Sequence, residues 1–174
     1  MVGYSTAIDQ VTVVLLDHVA FEYVAPGSDE YYEDRISGIP NVVGSNFNDS
    51  LFGDDWHNRL EGGLGNDSLG GWFGDDVLIG GDGNDILTGG MGDDILTGGN
   101  GNDRFEDLAQ DLSGDTITDF GVGDRIIITD ATLAGFTYSL TGSTLTYTGG
   151  WLKLTGVNGT VVASATASGD VQLT

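Results

Sequence analysis

Between residues 44 and 106 the chain repeats one nine-residue phrase seven times without a gap: GSNFNDSLF, GDDWHNRLE, GGLGNDSLG, GWFGDDVLI, GGDGNDILT, GGMGDDILT and GGNGNDRFE. A strict short period constrains folding strongly, because a unit of nine residues cannot bury an apolar face alone and must stack on copies of itself. The first six positions are turn chemistry. Repeated Gly supplies positive φ, and Asn and Asp hydrogen-bond their own backbone. The last three positions place one large apolar residue between two outward neighbours, at Leu51, Leu60, Leu69, Leu78, Leu87, Leu96 and Phe105. In a strand the middle residue of three faces the opposite way from its neighbours, so these seven side chains are the expected core.

A turn followed by a short strand reverses the chain, so two units should close one coil of eighteen residues, with like turns stacked about 4.8 Å apart. Sixth-position residues eighteen apart then converge. Asp67, Asp85 and Asp103 line one edge with Asp49 beneath, and Asp76 and Asp94 line the other with Asn58 beneath. Carboxylates held that close repel unless a cation lies between them. An all-oxygen donor set of carboxylates and turn carbonyls suits Ca²⁺ better than zinc, copper or the more rigidly hydrated Mg²⁺.

Charge leads to the same place. Asp and Glu number 27 against 5 Lys and Arg, a formal charge of −22, which repels itself in a compact body. Five scattered cations cannot make a phosphate-tracking surface, so nucleic acid and anionic membrane are not expected partners. The chain has no Cys, which excludes thiolate metal sites and disulfides. Residues 1–16 show no basic stretch before an apolar one, so an N-terminal secretory leader is not expected. No 18-residue apolar run is present to span a bilayer.

The tandem GGxGxDxUx units resemble the RTX (repeats-in-toxin) calcium-binding repeats. The resemblance implies an all-β fold: a right-handed parallel β-roll solenoid with an irregular N-terminal coil and a C-terminal β cap. It also implies about three to six Ca²⁺ ions, each held between two turns one coil apart by carbonyls and sixth-position Asp residues. Carried over residue by residue, one site would use Gly63, Gly65 and Asp67 with Gly80, Asp82 and Asp85. A second would use Gly81, Gly83 and Asp85 with Gly98, Asn100 and Asp103. On the opposite edge Trp72, Gly74 and Asp76 would meet Gly89, Met91 and Asp94. Asp49 would close a site with Asp67, whereas Asn58 puts an amide where a carboxylate usually stands. The segment GDTITDFGVGDRI from Gly114 resembles the closing segment of such rolls, with Asp119 and Asp124 as terminal ligands.

Four regions are expected on these grounds: residues 1–43 as strands leading into the roll, 44–106 as the seven repeats, 107–127 as the closing segment and 128–174 as a C-terminal β cap. Val11, Val13 and Leu15 alternate as a half-buried strand should, PGSDEYYED is an acidic loop, and residues 135–174 read as three or four strands. The terminal SGDVQLT is similar to the uncleaved export signals of type I secretion substrates, or is an ordinary last strand. The resemblance therefore implies an extracellular bacterial module, exported by the type I machinery through its C-terminus and joined to a larger protein.

Catalysis is not expected of this chain. His18 and His57 are the only histidines, and neither HExxH nor GxSxG occurs. One surface feature stands apart from the metal pattern. Trp56, Trp72, Phe73 and Met91 fall at turn positions of alternate units, on one edge. Tyr31, Tyr32 or the C-terminal hairpin is expected to cover them. The alternative is docking of a catalytic domain or of an alginate-like polysaccharide, as in an accessory module of a carbohydrate-active enzyme; an adhesin segment is a further alternative.

Overall fold

The computed structural model describes residues 41–132, 134, 136–157, 161–166 and 168–174, together with the strand backbones Val2–Gly3, Val11–Leu16 and Val19–Val24. It is an all-β solenoid of about five coils, with no helix among the described residues. His18, Tyr31, Tyr32 and the acidic loop lie outside those residues, as do the side chains of Val11, Val13 and Leu15.

Successive units fall alternately into two sheets. The first carries β1 (Val2–Gly3), β4 (Asn41–Val43), β6 (Arg59–Leu64), β8 (Val77–Asp82), β10 (Ile95–Asn100) and β12 (Thr116–Ile117), in that order and all parallel. The second carries β2 (Val11–Leu16), β5 (Ser50–Phe52), β7 (Ser68–Phe73), β9 (Ile86–Met91), β11 (Arg104–Asp107) and β13 (Arg125–Thr132), again parallel. Within the repeats Leu60 stands on Leu78 and Leu69 on Leu87, the eighteen-residue step read from the sequence. Parallel neighbours require a crossover between them, and here the six-residue turn with the strand of the opposite sheet supplies it.

The apolar residue of every unit faces inward. Leu51, Leu60, Leu69, Leu78, Leu87, Leu96 and Phe105 are at most 1% exposed and form one continuous core. Each such burial removes enough apolar area from water to contribute about 1.5–3 kcal/mol against the ordering of a glycine-rich chain. Ile117, Ile126 and Ile128 continue the two columns beyond the last repeat.

Past Glu106 the coil lengthens. Ile95 pairs with Thr116 and Arg104 with Arg125, a step of twenty-one residues in place of eighteen. The three additional residues are absorbed in the turn at 108–114, where the Leu112 amide bonds to the Leu108 carbonyl (3.0 Å).

Five strands follow where the sequence suggested three or four. β16 (Gly150–Leu154) joins β12 in parallel, and β15 (Thr144–Tyr147) and β14 (Tyr138–Thr141) extend the sheet antiparallel. β18 (Asp170–Leu173) and β17 (Ala163–Ala165) do the same beside β13. The SGDVQLT segment thus contains a strand, with Val171 and Leu173 buried.

Of the covers expected for the aromatic edge, the C-terminal hairpin does not serve: its strands continue the sheets at the end of the solenoid, while Tyr31 and Tyr32 lie outside the described residues. Trp56 is 61% exposed, Trp72 55%, Met91 49% and Phe73 44%. No helix among the described residues is long and apolar enough to cross a membrane.

Candidate metal centre

Each repeat turn delivers its sixth residue into the roll rather than into water. Asp49, Asp67, Asp76, Asp85, Asp94 and Asp103 are all at most 2% exposed. Position one must be Gly for this to happen: a side-chain carbon on Gly80 would collide with Asp85 Oδ2 of the same unit.

The buried carboxylates form two hydrogen-bonded columns. On one edge the Asp49 amide donates to Asp67 Oδ1 (2.8 Å), the Asp67 amide to Asp85 Oδ1 (2.8 Å) and the Asp85 amide to Asp103 Oδ1 (2.9 Å). On the other, the Asn58 amide donates to Asp76 Oδ1 (2.7 Å) and the Asp76 amide to Asp94 Oδ1 (2.8 Å). One oxygen of each carboxylate is therefore accounted for. The second, Oδ2 of Asp67, Asp76, Asp85, Asp94 and Asp103, is buried with no hydrogen-bond partner. An unpartnered buried acceptor costs about 1–3 kcal/mol, and more when charged. Five in register call for a cation or a proton.

Carboxyl protonation equilibria reflect the same shortage. Burial, opposed by the amide hydrogen bond and reinforced by neighbouring carboxylates, pushes Asp67 and Asp76 up to about 7 and Asp85 and Asp94 up to about 6. Asp103 is raised for the same reasons.

Turn carbonyls complete the surroundings. The Gly63 and Gly65 oxygens face the α-carbons of Gly81 and Gly83 one coil on, so closely that any side chain there would strike them. The Gly80 oxygen faces back toward Gly62. Oxygens from both turns thus point into the layer between them. The Asp82, Met91 and Asn100 carbonyls accept the amides of Gly65, Gly74 and Gly83 at 2.8–2.9 Å, and each retains a second lone pair. Among the described residues no three Asp, Glu or His side chains gather as a side-chain-only metal site. The donor set here is paired carboxylates with backbone oxygens, which fits a hard cation such as Ca²⁺.

The ends of the columns differ from the middle. Asp49 Oδ2 takes the Ser45 amide (2.5 Å), and Asn58 Oδ1 takes the Asp54 amide (2.8 Å). At the other end the Asp103 amide donates to Asp124 Oδ1 (2.9 Å), while Asp124 Oδ2 takes the Gly121 amide (2.8 Å). Asp119 receives the Gly98 amide on Oδ1 (3.0 Å) and the Gly99 amide on Oδ2 (2.8 Å). Sequence reasoning missed Asp115, which takes the Asp94 amide (3.0 Å) and is fully buried. The signal was present: Asp115-Thr116-Ile117 and Asp124-Arg125-Ile126 both keep the Asp-x-apolar triplet of the repeats.

His57 is exposed, and its Nδ1 accepts the Asp75 amide (2.7 Å). That bond belongs to a second, outer ladder of fifth-position side chains. On the opposite edge Asn48, Asn66 and Asn84 accept the amides of Asn66, Asn84 and Asn102 at 2.7–2.9 Å.

No curated protein shows significant similarity to the chain. Residues 43–78 and 71–105 match the RTX calcium-binding nonapeptide repeat, a family defined by four copies. Repeats of this kind bind Ca²⁺ and are typical of type I secreted bacterial proteins. Residues 43–105 of this chain are RTX calcium-binding nonapeptide repeats, wound into a β-solenoid of stacked aspartate columns.

Proposed function

We propose that the chain is a calcium-triggered folding module of a larger exported bacterial protein: unfolded in calcium-poor cytosol, exported from its C-terminus by the type I machinery, and folded outside. The observation that carries this reading is the register of five buried, unpartnered carboxylate oxygens within the repeats. In the proposed sites Asp67 and Asp85 hold one ion with the carbonyls of Gly63, Gly65, Gly80 and Asp82. Asp85 and Asp103 hold another with Gly81, Gly83, Gly98 and Asn100. On the opposite edge Asp76 and Asp94 hold a third with Trp72, Gly74, Gly89 and Met91, the Trp and Met through backbone oxygen. Asp49 shares a site with Asp67, and Asp124 borders Asp103. Asp119 is left to its two amides. The module has no catalytic role of its own, and its boundaries follow the four regions read from the sequence.

Linkage drives the switch. A charge of −22 and the entropy of 30 glycines oppose folding, and ions that bind only the native turns supply the missing free energy. Extracellular calcium modules work at about 10⁻⁴ to 10⁻³ M, which separates outside from inside. Far-UV circular dichroism in chelator should show a largely disordered chain, with millimolar Ca²⁺ but not Mg²⁺ restoring the β signal. A spectrum indifferent to calcium would overturn this reading.

A second reading has a specific observation in its favour. Trp72 is exposed and lies with Phe52 beside Gly70, along an open groove of about 380 Å³. An aromatic wall next to a residue without a side chain suits a stacked sugar ring, so a polysaccharide-binding accessory module is the alternative. Retardation in gels cast with alginate or with a neutral glucan, each with and without Ca²⁺, tests it.

A further inference from the structure

The aspartate columns do not end where the repeats end. Asp115 lies outside the matched residues, in the lengthened coil, yet it takes the amide of Asp94 as Asp94 takes that of Asp76. The strand after it is in register with the repeats, Ile95 opposite Thr116 and Leu96 opposite Ile117, and Ile117 fills the next place in the core column. Asp115 itself is 0% exposed, and its Oδ2 is buried without a hydrogen-bond partner. Its counterpart on the other edge behaves differently, because Asp124 Oδ2 is satisfied by the Gly121 amide.

We propose that Asp94 and Asp115 hold one further Ca²⁺ ion, beyond the nonapeptide repeats, and that this ion fixes the C-terminal sheet to the roll. The inference rests on the calcium reading of the repeats and extends it to residues that the repeat pattern does not reach. Neighbouring groups favour a cation here. Asp107 adds negative charge while its own oxygens take the amides of Gly90 and Leu108 at 2.8 Å. Gly114, next to Asp115, packs against the Asp93 side chain, where an added carbon would collide with Asp93 Oδ1. Calcium completes its six to eight oxygens with carbonyls and water as well as carboxylates.

The C-terminal sheet hangs on the same residue. The Asp115 carbonyl accepts the Lys153 amide (2.9 Å), and Thr116 and Ile117 pair with Lys153 and Leu154 of β16. β15 and β14 pair on from β16, and the Tyr147 hydroxyl donates to the Ala109 carbonyl (2.9 Å) of the same lengthened coil.

The test uses the full chain. Native mass spectrometry in calcium should count one ion fewer for Asp115→Asn than for the unaltered chain, and the same number for Asp124→Asn. Hydrogen exchange in β16 should quicken in Asp115→Asn, with the amides of β6 to β9 unchanged. An equal ion count in Asp115→Asn would overturn the proposal, leaving Asp115 as a buried protonated acid. Crystals of the unaltered chain grown with Tb³⁺ give a readout independent of the variant's folding. An anomalous peak between Asp94 and Asp115 is expected, and its absence beside a peak between Asp76 and Asp94 would refute the site. If the unaltered chain bound no ion at all, the reading of the repeats themselves would fail, which is a distinguishable result.

Discussion

Asp85 takes the Asp67 amide on one side and gives its own amide to Asp103 on the other, so its carboxylate borders two layers of turn oxygens. Asp85→Asn keeps the shape and the amide acceptor but removes charge from two proposed ions. It should bind two fewer ions, and the calcium midpoint of folding should rise by about tenfold or more, since affinity in such sites follows the number of charged ligands. A calcium titration followed by circular dichroism, run beside Asp49→Asn at the column's end, measures this. Equal midpoints for the two variants would contradict the assignment. Trp72 poses the opposite case. It is the one non-glycine with positive φ among the described residues (81°), at the position where other units have Gly81, Gly90 and Gly99. Left-handed backbone costs a bulky residue about 1–2 kcal/mol, and the exposed indole recovers little of it by burial. Trp72→Gly should therefore stabilise the calcium-loaded roll by about 1 kcal/mol, a rise of about 2–4 °C in Tm by calorimetry. A fall in Tm would mean that the indole makes contacts worth more than the strain.

Neighbouring coils are coupled by two ladders of opposite sense. Each inner Asp accepts the amide of the coil before it, whereas each outer Asn accepts the amide of the coil after it. A turn is thereby held from both sides, and any group that widens the spacing should be felt along the column. Gly83 has a φ of 154°, and a side-chain carbon there would drive into the Gly65 carbonyl oxygen. Gly83→Ala should separate two turns at a proposed calcium site and weaken folding more than Gly142→Ala, where nothing lies within 4 Å. Gly142 at a φ of 61° sits where alanine is tolerated, whereas Gly83→Ala adds a Gly-only backbone to the clash; calcium midpoints of the two variants measure the combined effect. The same spacing explains how much was legible beforehand. From Gly44 to Glu106 a strict period specifies both the core column and the aspartate columns, because residue type and position repeat together. Three added residues after Glu106 break the period, and with it the cue for Asp115, although the local triplet survives. The fate of the aromatic edge was not legible at all. Whether the C-terminal strands fold over Trp56 and Trp72 or extend the sheets depends on edge pairing between β12 and β16, and no short pattern announces that.

Calcium and protons compete for the same oxygens, so the molecule should have two ways of relieving its charge. In the ion-free roll Asp67 and Asp76 titrate at about 7, and Asp85 and Asp94 at about 6, against about 3.9 in an unfolded chain. Raised carboxyl values mean that the folded state binds more protons than the unfolded one between those limits. Stability from this source is complete below about pH 4, and it is lost as pH rises through the folded values. In chelator, lowering the pH from about 7.5 to 5 should therefore recover part of the β signal that calcium gives at neutral pH. With calcium present the sign reverses for binding: each proton must leave before an ion enters, so the calcium midpoint should shift upward on acidification. Acid also lowers net charge generally, and salt separates the two causes. If 0.5 M NaCl at pH 7.5 restored as much β structure as acid does, diffuse repulsion would be the obstacle, because salt screens distant charges but leaves a buried oxygen without a partner. Recovery by acid and by calcium, but not by salt, would locate the obstacle in the two aspartate columns.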